Sequence, residues 1–252
     1  MSLAAYSPLE QFAILPIIPA HLGSVYFSFT NSALIMVVGV SLFCALLSMT
    51  LTQGGTLVPS HWQSVVEMVY EFVTALVDEQ IGEKGQPYFP LIFTTFTFIL
   101  ICNLIGMIPY SFTATSHFIV TLGLALSLAI GMLIIGFATH GLHFFALLMP
   151  PGAPIALAPL LVLLELLSYV SKFISLGVRL GANMLAGHCL LKIIAGFAWT
   201  MLCTGGLLAV ASTGPFAVVF LLTGLELGIA MIQAYVFSML LCIYLNEAIH
   251  LH

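Results

Sequence analysis

Basic charge is nearly absent from this sequence. Its 252 residues hold only Lys84, Lys172, Arg179 and Lys192 as lysines and arginines, and Arg179 is the single arginine. Nucleic acid is excluded as a partner, because the net charge is −5 and no basic patch can be assembled against phosphate. No lysine or arginine precedes Lys84, so neither a basic signal-peptide region nor an arginine-rich transit peptide is expected there. The rule that places basic loops on one side of a membrane has almost nothing to count. Charge of any sign makes up 5% of the chain, where a soluble domain carries about 25%. Closely paired cysteines are missing too. Cys44, Cys102, Cys189, Cys203 and Cys242 stand singly in apolar runs, which excludes a C-x-x-C metal or redox site and predicts small core hydrophobes. His140 and His143 have no third ligand nearby, so no metal is expected, and no cofactor motif is present. His250 and His252 read as a wet C-terminus. What remains is 62% hydrophobic, with a mean hydropathy of +1.21. This is the composition of an all-α integral membrane protein.

The chain divides by its breakers. Residues 1–24 contain Pro8, Pro16 and Pro19 and read as an N-terminal arm. Residues 26–52 are free of charge and predict a first membrane helix. In 61–81, Glu67, Glu71, Thr74 and Asp78 recur on one side of a helix, with Val65, Val69, Phe72, Val73 and Leu76 elsewhere. That pattern predicts an amphipathic helix on a surface, whose acidic face favours protein over anionic lipid. Residues 88–139 read as a pair of spans broken at IPYSFTATS, and HGLHFFALLMPPGAPIALAP is a proline-rich connector. Proline is then absent from 160–201 and again from 216–252. At 1.5 Å per residue the first of these is a helix of roughly 60 Å, about twice a hydrocarbon core. Either each segment hides two spans, or each is one long tilted helix. The second reading is favoured, because the strong breakers, Thr204 to Gly206 and Ser212 to Pro215, lie between the two segments. The result is a helical hairpin.

Polar residues on these long helices are few and aligned. At 100° per residue, Glu165, Ser168, Lys172, Ser175 and Asn183 all fall within about 40° of Arg179, in one narrow stripe. Beyond Asn183 that face turns apolar, while His188 points to the opposite side with Lys192 one turn beyond it. On the second helix Glu226, Gln233 and Tyr244 share a face, since separations of 7 and 18 are near whole numbers of turns. Gly177, Gly181, Ala182 and Ala186 would let another helix approach closely, as a tight hairpin needs. His188 alone reads as readily as a hydrogen-bonded core histidine, and Glu165, Lys172 and Arg179 as a charge ladder. Seven residues, however, is ~10 Å of helix, too far for Lys172 to pair with either neighbour. Ionisable groups that cannot pair along their own helix mark a water-filled path or the face of another subunit.

At SLGVRLGANMLAGH (175–188) and LELGIAMIQAYVF (225–237) the sequence resembles the subunit a family of F-type ATP synthases, in its mitochondrial form. SPLEQF, CNLIGMIPYSF, LLELLSY and YLNEAIHLH extend the likeness over the whole chain. His188 with Glu226 matches the mitochondrial arrangement, where many bacterial members carry the reverse pair. The resemblance implies a non-catalytic stator, two tilted helices curving around a ring of c subunits that each carry a lipid-facing carboxylate. It implies that Arg179, the residue on which coupling turns, faces that ring and blocks direct proton leakage. It further implies an inlet half-channel lined by Glu226, His188, Asn183 and Gln233, and an outlet with Glu165, Ser168 and Lys172. Ser175 and Tyr244 belong to the same candidate pathway. Other membrane-sector and peripheral-stalk subunits, lipid and a multi-pass place in the mitochondrial inner membrane are implied as well, with no self-assembly of the isolated chain.

Two other classes compete. A proton-coupled secondary transporter would need a substrate site and usually interrupted helices around it. A purely structural subunit would not need six polar residues in one stripe.

Overall fold

A computed structural model describes residues 9–19, 21–22, 25–26, 28–52, 59–108, 111–141 and 157–250. The first eight residues of the 1–24 arm, residues 142–156 of the connector with His143, and His252 lie outside the described residues. The architecture is all-α. Among the described residues, five helices are long and apolar enough to cross a membrane.

The described residues open with a 3-10 turn at Glu10–Phe12, then four short strands: β1 (Pro16–Ile18), β2 (His21–Leu22), β3 (Val25–Tyr26) and β4 (Phe29–Thr30). They pair as β1 with β4 and β2 with β3, both antiparallel. The first membrane helix, α1, therefore begins at Asn31 and ends at Thr52, later than the expected start at Tyr26. The reason is a link back to the arm. Asn31 ties the arm to the helix start: its Oδ1 accepts from Leu15 N at 3.3 Å and Ser32 N at 2.9 Å, and its Nδ2 donates to Ala13 O at 3.1 Å. The β-forming residues before it are used in the hairpin.

Helix α2 (His61–Gln80) starts where the Ser60 hydroxyl accepts from Gln63 N. It buries Val73, Leu76 and Val77 and leaves Glu67, Glu71 and Asp78 open. Within this chain the apolar side is the one that packs, and the acidic side stays exposed. Glu67 accepts from Gln63 Nε2 at 2.7 Å on that open side, and leaving the carboxylates exposed avoids the cost of burying charge. A 3-10 segment, Glu83–Tyr88, leads into α3 (Phe89–Gly106); a loop leads to α4 (Phe118–His140).

The long helices are α5 (Ala158–Thr204) and α7 (Thr213–Ile249), joined through the short α6 (Gly206–Ala211). Both start earlier than the proline-free segments suggested. Pro159 and Pro215 sit in the first turns, where a helix has no use for the missing N–H. The turn between them depends on Gly205 and Gly206, at φ 73° and 64°. Only glycine holds two consecutive left-handed residues cheaply. Neither long helix is two hidden spans: α5 runs unbroken for 47 residues, roughly 70 Å.

Contacts group the chain into two interleaved units, Met1–Cys44 with Phe98–His117 and Gly181–Ala234, and Ala45–Thr97 with Phe118–Leu180 and Tyr235–His252. In the first unit Ile99, Cys102, Met184, Ala230 and Ala234 are fully buried. Gly39 of α1 brings that helix against Ile101, Cys102 and Ile105. In the second, Ile92, Phe173, Leu180, Phe237 and Leu241 form the interior, and Phe72 of α2 meets Phe96 at 5.5 Å and Tyr235 at 5.7 Å. There Gly177 serves α4: a Cβ on it would stand 2.9 Å from Thr121 O and 3.0 Å from Leu122 Cα. The small residue thus admits the α4 backbone, not the hairpin partner α7 that its spacing suggested. Among the cysteines Cys102 and Cys242 are buried, but Cys44 and Cys203 are exposed on apolar helix faces. In a membrane helix a small thiol does not require a protein core around it.

Candidate functional site

In the first unit α5 and α7 run antiparallel, so later residues of one meet earlier residues of the other. Asn183 Nδ2 donates to Gln233 Oε1 at 2.8 Å. Two turns along, His188 Nδ1 lies 3.1 Å from Glu226 Oε1, in ion-pair range though not aligned as a hydrogen bond. Glu226 and Gln233 are each 4% exposed, so this carboxylate and amide are held away from solvent by their own chain. Gly187 makes the seat. A Cβ there would stand 2.6 Å from Glu226 Oε1, so any side chain would push the carboxylate away.

A third element completes the cluster. The loop after α3 carries Thr113, Thr115 and Ser116, all buried, although the backbone there is not regular α-helix. Thr113 Oγ1 is 3.0 Å from His188 Nε2, so the imidazole has a hydroxyl on one nitrogen and a carboxylate on the other. Asn103 of α3, fully buried, donates from Nδ2 to Ala230 O of α7 at 3.1 Å. Asn103 Oδ1, Thr115 Oγ1, both Glu226 oxygens and Gln233 Nε2 have no hydrogen-bond partner among the described residues. Such a concentration of buried polar atoms is suited to ordered water and to moving protons. At the end of the loop, outside the spans, His117 stacks on Phe112 at 5.1 Å and meets Phe12 edge-on at 6.3 Å. Burial holds its pKa below the ordinary histidine value.

The second unit has a different cluster. Lys172 Nζ bonds Glu247 Oε2 at 2.8 Å and lies 5.6 Å from the Tyr244 ring. Phe173 stands between Tyr169 and Tyr244, 5.2 Å from each ring. Tyr244 therefore sits with Lys172 and Glu247 rather than with Glu226 and Gln233. Sharing a helical face is not sharing a site, because 18 residues of helix put Tyr244 about 27 Å beyond Glu226 along the axis. His140 closes α4 and bonds Ile249 O at 2.9 Å, and His250 bonds Asn246 Oδ1 at 2.7 Å. No group of three metal-ligating side chains occurs among the described residues.

On α5 the stripe is open. Ser168, Ser175, Arg179 and Asn183 are exposed and Glu165 is partly so, while Phe173, Leu176, Leu180 and Met184 are buried. Arg179 enters no ion pair among the described residues. A guanidinium at the middle of an apolar helix, without a carboxylate from its own chain, calls for a counter-charge from another molecule.

Three polar contributors escape a reading by helical spacing. Thr113 lies in a stretch that reads only as a breaker, and Asn103 is one amide in an apolar span. Glu247 sits near a helix end that looks wet. For Asn103 the signal was present, since an isolated amide inside a span needs a partner.

Comparison with known proteins gives a consistent result. The family model described as "ATP synthase A chain" matches residues 32–246. "ATP synthase subunit a" of Marchantia polymorpha is 62% identical over 98% of this chain and 100% of its own length. The protein of that name from Oenothera berteroana is 57% identical over 100% and 92%. That from Chondrus crispus is 53% identical over 98% and 97%.

Proposed function

This chain belongs to the ATP synthase A chain family, and from that premise we propose how its residues carry protons. As subunit a it is the proton-translocating stator of the membrane sector, and it associates with the c-ring and other subunits of the synthase. A self-contained transporter is not favoured, since α5 runs without interruption where a midplane substrate site would break it.

The observation that carries the residue assignment is the buried His188 and Glu226 pair, 3.1 Å apart, with Thr113 on the far nitrogen. A carboxylate and an imidazole in contact can hand a proton between them without a large charge rearrangement. With Asn183 and Gln233 they form the inlet half-channel. The outlet is the other polar track, with Glu165, Ser168, Lys172, Ser175 and Tyr244 along it. Arg179 faces the ring. Its fixed charge favours the ionised form of each c-subunit carboxylate that passes and bars a proton from crossing directly. Neither track crosses alone, so protons travel with the ring. The exposure of Arg179 and its lack of an ion pair among the described residues support this placement. The kin named above and the five apolar helices support a multi-pass place in the mitochondrial inner membrane, among peripheral-stalk subunits and lipid.

The assignment is tested in vesicles holding equal amounts of assembled enzyme. Glu226→Gln and Glu165→Gln, made separately, should each slow proton-driven ATP synthesis at least tenfold, by removing a group that must gain and lose a proton. Wild-type rates in both across pH would refute it.

A further inference from the structure

We propose that Thr113 is the positioning residue of His188: its hydroxyl switches between two hydrogen-bond states and so holds the imidazole on Glu226 whichever way its proton lies. The proposal rests on the reading of His188 and Glu226 as a proton pathway. It concerns a loop residue that the helical stripes do not include.

Three distances carry it. Thr113 Oγ1 is 3.0 Å from His188 Nε2 and 3.4 Å from Gly106 O, while His188 Nδ1 is 3.1 Å from Glu226 Oε1. A hydroxyl both donates and accepts, and its hydrogen rotates freely about the C–O bond. When Nε2 lacks a proton, Thr113 donates to it. When Nε2 carries one, in the other neutral tautomer or in the imidazolium, Thr113 accepts that N–H and can turn its own hydrogen to Gly106 O. No state of the ring leaves Nε2 unmatched. An amide or a carboxylate at 113 would favour one ring state over the others, and an apolar residue would leave a buried nitrogen unpaired, at a cost that falls on the ring orientation.

The surroundings are built to hold this one hydroxyl. A Cβ on Gly106 would stand 2.7 Å from Thr113 Cγ2 and 2.8 Å from its Oγ1, so glycine there is what lets Thr113 reach the end of α3. Ser116 Oγ donates to Thr113 O at 2.7 Å, and Ser111 Oγ bonds Ile105 O, which fix the loop on either side. Thr113 is 5% exposed, so bulk water is a poor substitute. Gly106 thus stands to Thr113 as Gly187 does to Glu226: each glycine clears the seat of one of the two groups that flank the imidazole.

The test uses the assembled synthase in vesicles and compares Thr113→Val, Thr113→Ser and Glu226→Gln at matched amounts of enzyme. Valine keeps the shape and loses the hydroxyl; serine keeps the hydroxyl and loses a methyl. Proton-driven synthesis should fall at least about fivefold in Thr113→Val and stay within roughly twofold of wild type in Thr113→Ser. Equal slowing of both variants would make Thr113 a packing residue and overturn the proposal. Wild-type rates in both, with Glu226→Gln slow, would also overturn it while leaving the pathway reading intact. Wild-type rates in all three would remove the pathway reading itself. Should Thr113→Val not assemble, Gly106→Ala decides: it keeps every polar group but displaces the hydroxyl. It should reproduce the deficit, and a wild-type rate there would count against the proposal.

Discussion

The two polar clusters on α5 and α7 use similar chemistry under opposite conditions. In the first unit His188 and Glu226 are enclosed, with side-chain exposures of 13% and 5%. In the second, Lys172 and Glu247 make a shorter contact at 2.8 Å, yet stand 31% and 45% exposed. Distance alone would rank the lysine pair as the stronger. Environment reverses the order, because Coulomb attraction near solvent is small and screened, whereas a buried carboxylate is governed by its few neighbours. A close pair is therefore not by itself a functional pair. What distinguishes the histidine cluster is that three elements of the chain, α5, α7 and the loop after α3, are shaped around it. Arg179 is the extreme case: it has neither enclosure nor an ion-pair partner among the described residues.

The largest effect should come from removing that charge. Arg179→Ala should reduce coupled ATP synthesis at least ~100-fold, on the scale of losing a fixed electrostatic group at a reaction centre. It should also let protons leak passively through the assembled complex. Arg179→Lys should be severely impaired as well, because an ammonium loses its proton more readily when desolvated and cannot present a planar fork. Flux and synthesis measured in the same vesicles check this. Normal coupled synthesis by Arg179→Ala would make the arginine merely structural and collapse the contrast between the open stripe and the enclosed pair.

A smaller effect should separate geometry from charge. Gly187→Ala removes no ionisable group but places a Cβ 2.6 Å from Glu226 Oε1, so the carboxylate must shift from its seat beside His188. Synthesis should slow roughly ten- to a hundredfold, the consequence of displacing a reacting group by about 1 Å. Gly196→Ala on the same helix is the control, since a Cβ there meets nothing within 4 Å. Equal rates in the two variants would show that the close seat of Glu226 has no role.

How much of this could be read from the sequence follows from the range of each signal. Composition and proline spacing are strong over long helices, so the all-α membrane class, the unbroken α5 and the hairpin were legible. What spacing cannot supply is depth along the axis between elements, or any partner from a loop. Tyr244 falls on the face of Glu226, yet it belongs to the lysine cluster. Gly177 looks like a hairpin contact and serves α4 instead. Thr113 was hidden because a hydroxyl in a turn is ordinary; only tertiary structure shows which nitrogen it meets. The late start of α1 was hidden for the same reason, as Asn31 acts through Ala13 and Leu15, which lie far back along the chain.

The smallest effect should come from the lysine pair, and it sharpens the comparison most. If Lys172 and Glu247 meet in water, Lys172→Met and Glu247→Gln should be nearly additive. A double-mutant cycle on the stability of the assembled complex should then give a coupling below about 1 kcal/mol, with long side chains ordered at some entropic cost. That coupling should shrink further between low and high salt, because charges open to solvent are screened over about 10 Å at 0.1 M. The Tyr244 ring adds little at 5.6 Å from an exposed ammonium. A coupling of several kcal/mol that ignores salt would mean that lipid or another subunit covers the pair. Exposure within this chain would then no longer describe its environment, and the lysine cluster would join the histidine cluster as a desolvated one.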